Sequence, residues 1–188
     1  MESTQARPAG TGRTRAREED HRRTAGRGSR VIVYLDASAL VKRYVAEAGS
    51  ADVSELVEHA TLAGTAIVSR AEVAAALGKA ARIKLVPRKD AAAALQSFTS
   101  EWESLIRLQM TEVLMARAAE FAWEQGLRGH DAVHLAAAHV WQDVMGEPVT
   151  LATYDWQLWD AARGTGLVAW PARLESRPRG KRADRLPL

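Results

Sequence analysis

Four acidic residues stand where a strand or a loop gives way to a helix: Asp36, Glu72, Asp131 and Asp155. Asp36 directly follows the apolar run Val-Ile-Val-Tyr-Leu at 31–35, and Asp155 comes two residues after a second such run at 149–153. Carboxylate oxygens are the ligands that Mg²⁺ prefers. Two such ions about 4 Å apart can stabilise both the attacking and the leaving oxygen in phosphodiester hydrolysis. If the four acids meet in space, the sequence therefore predicts a magnesium site.

The segments around these acids predict a parallel sheet. Short apolar stretches typical of strands occur at 31–35, 65–68, 108–110, 149–153 and 167–170. Helical patterns lie between them, including a long amphipathic one at 88–106. This alternation predicts an α/β domain with a mainly parallel sheet. Because such sheets bind ligands beyond the carboxyl ends of their strands, three of the acids are expected there, and Asp131 at a helix start can face the same edge.

Each acid also has a purely structural interpretation. Asp36 and Asp155 can cap the helices that follow them, and Asp131 can favour the macrodipole of its helix. Glu72 completes a Ser-x-x-Glu capping box with Ser69, and this is the better interpretation of Glu72 taken alone. Capping explains the four together less well, because it does not account for their shared position at one predicted sheet edge.

Ser38 and Thr153 are candidate supporting residues. Either hydroxyl can hydrogen-bond a carboxylate or a metal-bound water, and the competing explanations are local capping for Ser38 and strand propensity for Thr153. His134 lies one turn beyond Asp131 on the same helical face. No second nitrogen ligand follows at a matching spacing, so we expect His134 to pack and hydrogen-bond rather than to bind zinc.

The sequence contains six tryptophans. Trp102 and Trp123 fall within amphipathic helical patterns and Trp141 falls near a helix end, so core or dimer contact is the expected role of each. Trp156 directly follows Asp155 and is the tryptophan best placed to touch a substrate.

Charge divides the chain into three parts. Residues 1–30 hold eight arginines and four acidic residues without apolar periodicity, so we expect a disordered basic tail, which a mis-called translation start would also explain. Residues 171–188 form a basic extension with six basic and two acidic residues. Each tail contributes +4 to a total of +3, which leaves −5 for the domain at 31–170. The basicity of the chain is therefore no evidence that the domain binds nucleic acid.

Composition narrows the class of protein. Apolar residues make up 47% of the 188, which is typical of a globular domain. There is no cysteine, which excludes disulfides and fits a reducing compartment such as the cytoplasm. No apolar run approaches the ~18 residues that span a bilayer, so no membrane association is expected.

Four segments resemble the motifs of PIN-domain ribonucleases, and specifically of VapC-type toxins from type II toxin–antitoxin modules. They are VIVYLDASALVK at 31–42, SRAEV at 69–73, GLRGHDAVHLA at 126–136 and LATYD at 151–155. The third segment is the most specific and the second would be weak alone. Together they place the resemblance over residues 31–170, and both basic tails lie outside it.

The resemblance implies a three-layer α/β/α sandwich around a five-stranded, mainly parallel sheet. It implies an endoribonuclease that hydrolyses RNA phosphodiester bonds with a metal-activated water, dependent on Mg²⁺ or Mn²⁺. It also implies a homodimer that a cognate antitoxin neutralises. By position, the acidic quartet of the family falls on Asp36, Glu72, Asp131 and Asp155, as catalytic residues and metal ligands.

Three other functions remain open or are disfavoured by the sequence. A non-catalytic PIN-like module that binds RNA or protein would not need the full acidic quartet. A DNA nuclease with the same metal site is compatible with every residue named above. A phosphatase of the haloacid dehalogenase type needs a second acid two residues after the first, and Ser38 stands at that position.

Overall fold

Five parallel strands form the centre of the structure, a computed structural model that describes residues 30–174. They are β1 (Ile32–Leu35), β2 (Leu62–Ala66), β3 (Ile106–Leu108), β4 (Val149–Ala152) and β5 (Val168–Trp170). Their order in the sheet is β3-β2-β1-β4-β5, and all neighbours are parallel. The chain builds outward from β1 first on one side and then on the other. The carboxyl ends of β1 and β4 therefore form the switch point at which open α/β sheets bind ligands.

Helices cover both faces of this sheet. In the described part of the chain they are α1 (Ala37–Tyr44), α2 (Ser50–Glu58), α3 (Ser69–Arg82), α4 (Arg88–Glu101), α5 (Glu112–Gln125), α6 (Gly129–Met145) and α7 (Trp156–Gly164). Apolar residues of α5, α6 and α7 form one core cluster against the sheet. Those of α1 to α4 form a second cluster on the opposite face. The three-layer α/β/α sandwich implied by the sequence is confirmed.

The central position of β1 in the sheet explains why its sequence is apolar throughout. Ile32 and Tyr34 point into the cluster with α5 to α7, whereas Val33 and Leu35 point into the cluster with α1 to α4. All four are 0–1% exposed. A strand with helices on both faces has no polar side, so it loses the alternation of a half-buried strand.

Several predicted boundaries were wrong by a few residues. Strand β2 begins at Leu62 rather than at residue 65, because Leu62 pairs with Ile32 in the parallel register. Strand β3 lies at 106–108 rather than at 108–110, and it pairs with 64–66 of β2. Helix α4 ends at Glu101, where Trp102 turns into the core as part of a 3₁₀ turn. In each case the partner across the sheet or in the core set the boundary, which local propensity does not encode.

The predicted basic tails at 1–30 and 171–188 lie almost wholly outside the described residues 30–174, and they stay predictions. Within that described range, no helix is both long enough and apolar enough to cross a bilayer.

Gly64 in β2 allows α6 to approach the sheet closely. A Cβ at this position would lie 2.8 Å from Cη2 of Trp141 and 2.9 Å from the carbonyl oxygen of Ile106. Trp141 is a buried residue of α6, the helix that also carries Asp131. The absence of a side chain at Gly64 thus helps to set where α6 sits on the sheet.

We predict that Gly64→Ala lowers the free energy of unfolding by about 1–3 kcal/mol, because the added methyl group overpacks a contact that includes rigid backbone. Urea denaturation of the purified variant measures this change. Gly78→Ala in α3 is the matched control: its Cβ would make only an ordinary van der Waals contact, 3.7 Å from Nη1 of Arg82. The control should be more stable than wild type by about 0.5–1 kcal/mol. Equal stability of both variants would contradict the close approach of Trp141.

Candidate active site

One cleft at the carboxyl edge of the sheet brings the four predicted acids together. Its volume is about 1030 Å³, and Asp36, Glu72, Asp131 and Asp155 all line it. Ser38, Lys42, Arg128, His130, His134 and Trp156 line it as well. The expected convergence of the acids is confirmed, although they come from four different helix starts along the chain.

Asp36 caps α1 and lines the cleft at the same time. Its Oδ1 accepts hydrogen bonds from the N–H of Ala39 at 2.9 Å and from the hydroxyl of Ser38 at 2.7 Å. Its Oδ2 accepts a hydrogen bond from the hydroxyl of Thr153 at 2.8 Å. The residue is only 4% exposed. Burial raises the pKa of Asp36 above its ordinary value, against the charge of His134 and these hydrogen bonds, which lower it.

Ser38 and Thr153 therefore contact a carboxylate, as expected. Each hydroxyl also accepts a backbone N–H, from Tyr154 at 2.7 Å for Ser38 and from Asp155 at 3.0 Å for Thr153. Both hydroxyls thus donate to Asp36 and accept from the turn that follows β4. The network ties the β1–α1 turn to the β4–α7 turn, and it sets the position of Asp36 relative to Asp155.

Asp155 caps α7. Its Oδ1 accepts hydrogen bonds from the N–H groups of Gln157 at 2.8 Å and Leu158 at 3.2 Å. The structural interpretation of Asp155 is therefore correct, as it is for Asp36, but neither cap removes the residue from the cleft. A helix N-terminus stabilises a nearby negative charge, so one position serves both the cap and the acidic site.

The capping-box interpretation of Glu72 was wrong. Helix α3 begins at Ser69, its N-cap is Val68, and no side chain caps this end. The hydroxyl of Ser69 lies 2.7 Å from that of Thr65 inside the core. Glu72 Oε2 instead lies 2.8 Å from Nε2 of His134 on α6. The partner of Glu72 is thus on a different helix, across the cleft.

His134 connects Glu72 to the central strand. Its side chain is 2% exposed, and its Nδ1 lies 2.7 Å from the phenol oxygen of Tyr34. That oxygen accepts the backbone N–H of Ala66 at 3.1 Å. A chain of hydrogen bonds thus runs from β2 through Tyr34 and His134 to Glu72. The expectation that His134 packs and hydrogen-bonds is confirmed, whereas Tyr34 was missed, although it is the only polar-tipped residue in an aliphatic strand.

Glu72 and His134 each favour the charged form of the other. Burial works against the charged form of His134, but the hydrogen bond to Glu72 and the charges of Asp36, Glu72 and Asp131 raise the pKa of His134. Burial likewise works to raise the pKa of Glu72, but His134, with a smaller effect from His130, lowers it. Glu72 is therefore held as a carboxylate with a fixed orientation.

Asp131 has an unsatisfied carboxylate oxygen. The residue is 4% exposed, in the first turn of α6, and its Oδ1 lies 3.3 Å from Nε2 of His130. Its Oδ2 is buried without a hydrogen-bond partner among residues 30–174. Burial raises the pKa of Asp131, and the charges of Asp155 and Asp36 raise it further, while His130 and Arg128 lower it. A buried oxygen without a donor is unfavourable unless another group fills the cleft beside it.

The donor set suits a hard divalent cation, because it consists of carboxylate oxygens and includes this orphaned Oδ2. Within residues 30–174, however, no three His, Asp or Glu side chains are already arranged to hold a metal ion. Glu72 is bound to His134 and both oxygens of Asp36 are bound to donors, so an ion would have to compete with these contacts. Metal binding by the quartet therefore stays a prediction.

Two basic residues of the cleft were not singled out from the sequence. Nζ of Lys42 lies 3.0 Å from Glu47 Oε1, 2.8 Å from the carbonyl oxygen of Ala48 and 4.3 Å from the centre of the Tyr154 ring. Arg128 is exposed, and it precedes α6 directly. Their presence inside motif segments 31–42 and 126–136 was the signal that could have found them. Both line the acidic cleft, where Arg128 is exposed and the charge of Lys42 is paired with Glu47.

The predicted roles of the tryptophans agree with their observed exposure only in part. Trp102 and Trp141 are each 5% exposed in the core, which confirms that expectation. Trp123 is 90% exposed, so it is not a core residue of this chain, and its dimer contact stays a prediction. Trp156 is half-buried and lines the cleft.

Comparison with known proteins agrees with this site. A family model of the PIN domain matches residues 33–163, which include all four acids. The chain is 33% identical over 145 residues to Ribonuclease VapC45 and to Ribonuclease VapC49 of Mycobacterium tuberculosis, covering 77% of this chain and 98% of each relative. VapC20 of M. tuberculosis, a toxin that cleaves the sarcin–ricin loop, has a similar fold. The TM-score is 0.52 at 15% identity, over 72% of this chain and 96% of that one.

The family model covers most of the domain whose motifs were found in the sequence, and each of the two relatives matches 145 residues of the chain. The resemblance noted from the sequence is thus confirmed: this chain belongs to the PIN-domain family, among its VapC-type toxin ribonucleases.

Proposed function

We propose that this protein is a Mg²⁺-dependent endoribonuclease toxin that hydrolyses RNA phosphodiester bonds, with Mn²⁺ as the other ion that its oxygen ligands suit. The observation that carries the proposal is the convergence of four carboxylates in one cleft, where Asp131 Oδ2 is buried without a partner. Membership of a ribonuclease family supports RNA as the substrate.

Asp36, Asp131 and Asp155 are the residues that would hold the ion, and Glu72 would hold a second ion or orient a water. When bound, Mg²⁺ lowers the pKa of water and neutralises charge that develops on the phosphate. Ser38 and Thr153 keep the Asp36 carboxylate oriented through their hydrogen bonds to its two oxygens. His134 does the same for Glu72, and Tyr34 supports His134 from inside the sheet. The donors are thus oriented before substrate binds.

Local cations must attract the RNA, because the domain as a whole is acidic. Arg128 is exposed and lines the cleft, and Lys42 lines it in an ion pair with Glu47. Arg128 can contact a phosphate next to the one that is cleaved, whereas Lys42 would first have to leave Glu47. The basic tails add attraction that is independent of sequence.

We predict that Asp36→Asn lowers the rate of RNA cleavage at least about 100-fold, because the variant loses a negative ligand at the centre of the cleft. Sequencing of RNA 5′ ends after induced expression, with purified protein on total RNA in parallel, measures the loss. The fold should survive, because the amide oxygen of the substituted side chain can still accept hydrogen bonds from Ala39 and Ser38.

Asp160→Asn on the exposed side of α7 is the matched control, and it should cleave at the wild-type rate. Wild-type cleavage by Asp36→Asn would refute the proposed site. The same assay on single-stranded DNA separates a ribonuclease from a DNA nuclease. Binding of RNA by wild type without metal-dependent cleavage would instead favour a non-catalytic module.

We predict that Asp131→Asn stabilises the metal-free protein at pH 7 by about 1 kcal/mol, which is about 2–4 °C in melting temperature. The folded state raises the pKa of Asp131, so ionisation costs more in the folded than in the unfolded state, and stability falls as pH rises. The advantage of the variant should therefore shrink as pH falls below about 4, because the carboxyl becomes protonated in both states only below its unfolded pKa.

Thermal unfolding in EDTA and in millimolar Mg²⁺ measures both this effect and metal binding. Wild type should melt at a higher temperature in Mg²⁺, because the ion binds only the folded site, and Asp131→Asn should lose most of that gain. Asp160→Asn should behave as wild type in both buffers. A wild-type melting temperature that does not respond to Mg²⁺ would count against the metal site.

We further propose that a cognate antitoxin neutralises the enzyme in the cytoplasm, and that the enzyme is a homodimer. An antitoxin arginine that entered the cleft would pair with the carboxylates and exclude the metal, so added antitoxin should lower Mg²⁺ occupancy. The lack of cysteine supports a reducing compartment. Light scattering after gel filtration should give twice the 20.5 kDa of one chain. A monomer at micromolar concentration would argue against the dimer.

A further inference from the structure

Two stacked tryptophans lie beside the acidic cleft, and the proposed mechanism does not use them. Trp156 is the first residue of α7, directly after Asp155, and it lines the cleft. Its ring stacks on that of Trp159 one turn later, with 5.3 Å between ring centroids and 25° between the ring planes. Two stacked indole rings therefore lie next to the carboxylates that would act on the phosphate.

Trp159 is held in place by contacts with two other residues. Trp159 is 4% exposed, and its indole N–H donates a hydrogen bond to the carbonyl oxygen of Pro171 at 2.7 Å. The guanidinium of Arg163, one further turn along α7, lies 4.8 Å from the centroid of the Trp159 ring. Trp159 is thus fixed by a hydrogen bond and a cation–π contact, and it fixes Trp156 in turn. A rigid aromatic surface loses little conformational entropy when a ligand stacks on it.

Core packing does not account for Trp156. Neither it nor Trp159 belongs to the two apolar clusters that hold the helices on the sheet. Trp156 is half-buried, with one ring face on Trp159, and its indole N–H makes no hydrogen bond to another residue within 30–174. The residue therefore has an aromatic surface and a donor available to something that enters the cleft.

We propose that the Trp156–Trp159 stack binds an unpaired nucleobase of the RNA, next to the phosphodiester bond that is cleaved. This inference rests on the proposed ribonuclease function and adds a base-binding position to it: an unpaired purine that stacks on Trp156. The cleft of about 1030 Å³ has room for a nucleotide beside the acidic quartet.

Two physical arguments give the class of base. Bases inside a duplex are already stacked on their neighbours, so only an unpaired base can lie on Trp156. A purine and an indole are both bicyclic, so their overlap is larger than that of a pyrimidine with an indole, and stacking strength follows overlap. Stacking alone favours a purine over a pyrimidine. A hydrogen bond to the indole N–H of Trp156 can then discriminate among purines.

The test compares Trp156→Ala with Trp156→Phe, which keeps an aromatic face, and with Trp123→Ala on α5 as the matched control. Trp123 is 90% exposed and lies outside the cleft. Binding is measured by fluorescence anisotropy in the Asp36→Asn background with Mg²⁺, so that the probes are not cleaved. The probes are fluorescein-labelled r(A)10, r(U)10 and a G·C-rich RNA duplex that stays paired at the probe concentration. Kinetics and 5′-end sequencing use the chain with Asp36 intact.

We expect Trp156→Ala to weaken r(A)10 binding about tenfold or more, and to raise KM by a similar factor with a smaller change in kcat, as loss of one base–aromatic stack requires. Trp156→Phe should retain most of the affinity, and Trp123→Ala all of it. The parent should bind r(A)10 more tightly than r(U)10 and the duplex most weakly. In the 5′-end profile, Trp156→Ala should lose the purine preference next to the cut.

Two results would overturn the inference. If RNA is cleaved but Trp156→Ala keeps the wild-type KM and the same bases at the cut, the stack does not bind a base and the ribonuclease function stands. If the parent binds no RNA probe and cleaves no RNA, the proposed function fails and this inference fails with it. If Trp156→Ala lowers stability, the ratio of the affinities for r(A)10 and r(U)10 keeps the comparison decisive. Partial unfolding lowers both affinities by the same factor, whereas loss of the stack lowers the affinity for r(A)10 more.

Discussion

The structure is organised around negative charge collected at one edge of a parallel sheet. Two carboxylates about 4 Å apart repel by about 4 kcal/mol even at an effective dielectric constant near 20. Asp36 and Asp131 are each 4% exposed, so solvent screens these two charges little. The fold tolerates this because each acid has its own partner: hydroxyls for Asp36, backbone N–H groups for Asp155, and histidines for Glu72 and Asp131.

Helix starts also contribute to this tolerance. Asp36 and Asp155 are N-caps and Asp131 lies in the first turn of α6, so three of the acids sit where unsatisfied N–H groups and the helix dipole favour negative charge. Because parallel strands place the following helix starts at one edge, the same topology that builds the sheet also gathers these acids. Capping and metal binding are thus compatible roles of the same side chains.

Helix α6 joins the site to the core. Its first turn carries Asp131, its second carries His134, and Trp141 near its end packs on Gly64 of β2. His134 reaches Glu72 on one side and Tyr34 of β1 on the other. A shift of α6 on the sheet would therefore move two sides of the cleft together, which makes packing at the sheet a determinant of the geometry at its edge.

The sequence by itself determined the order of strands and helices, the double burial of β1, and the presence of Asp36, Asp131 and Asp155 at element ends. These features are local: they follow from apolar runs, helix starts and short motifs. Only the tertiary structure decided the register of β2 and β3, the partner of Glu72, the role of Tyr34, and the buried, unpartnered Oδ2 of Asp131. Glu72 and His134 are 62 residues apart, and Tyr34 and His134 are 100 apart. Contacts at such separations depend on how α6 packs on the sheet, which no local pattern in the chain encodes.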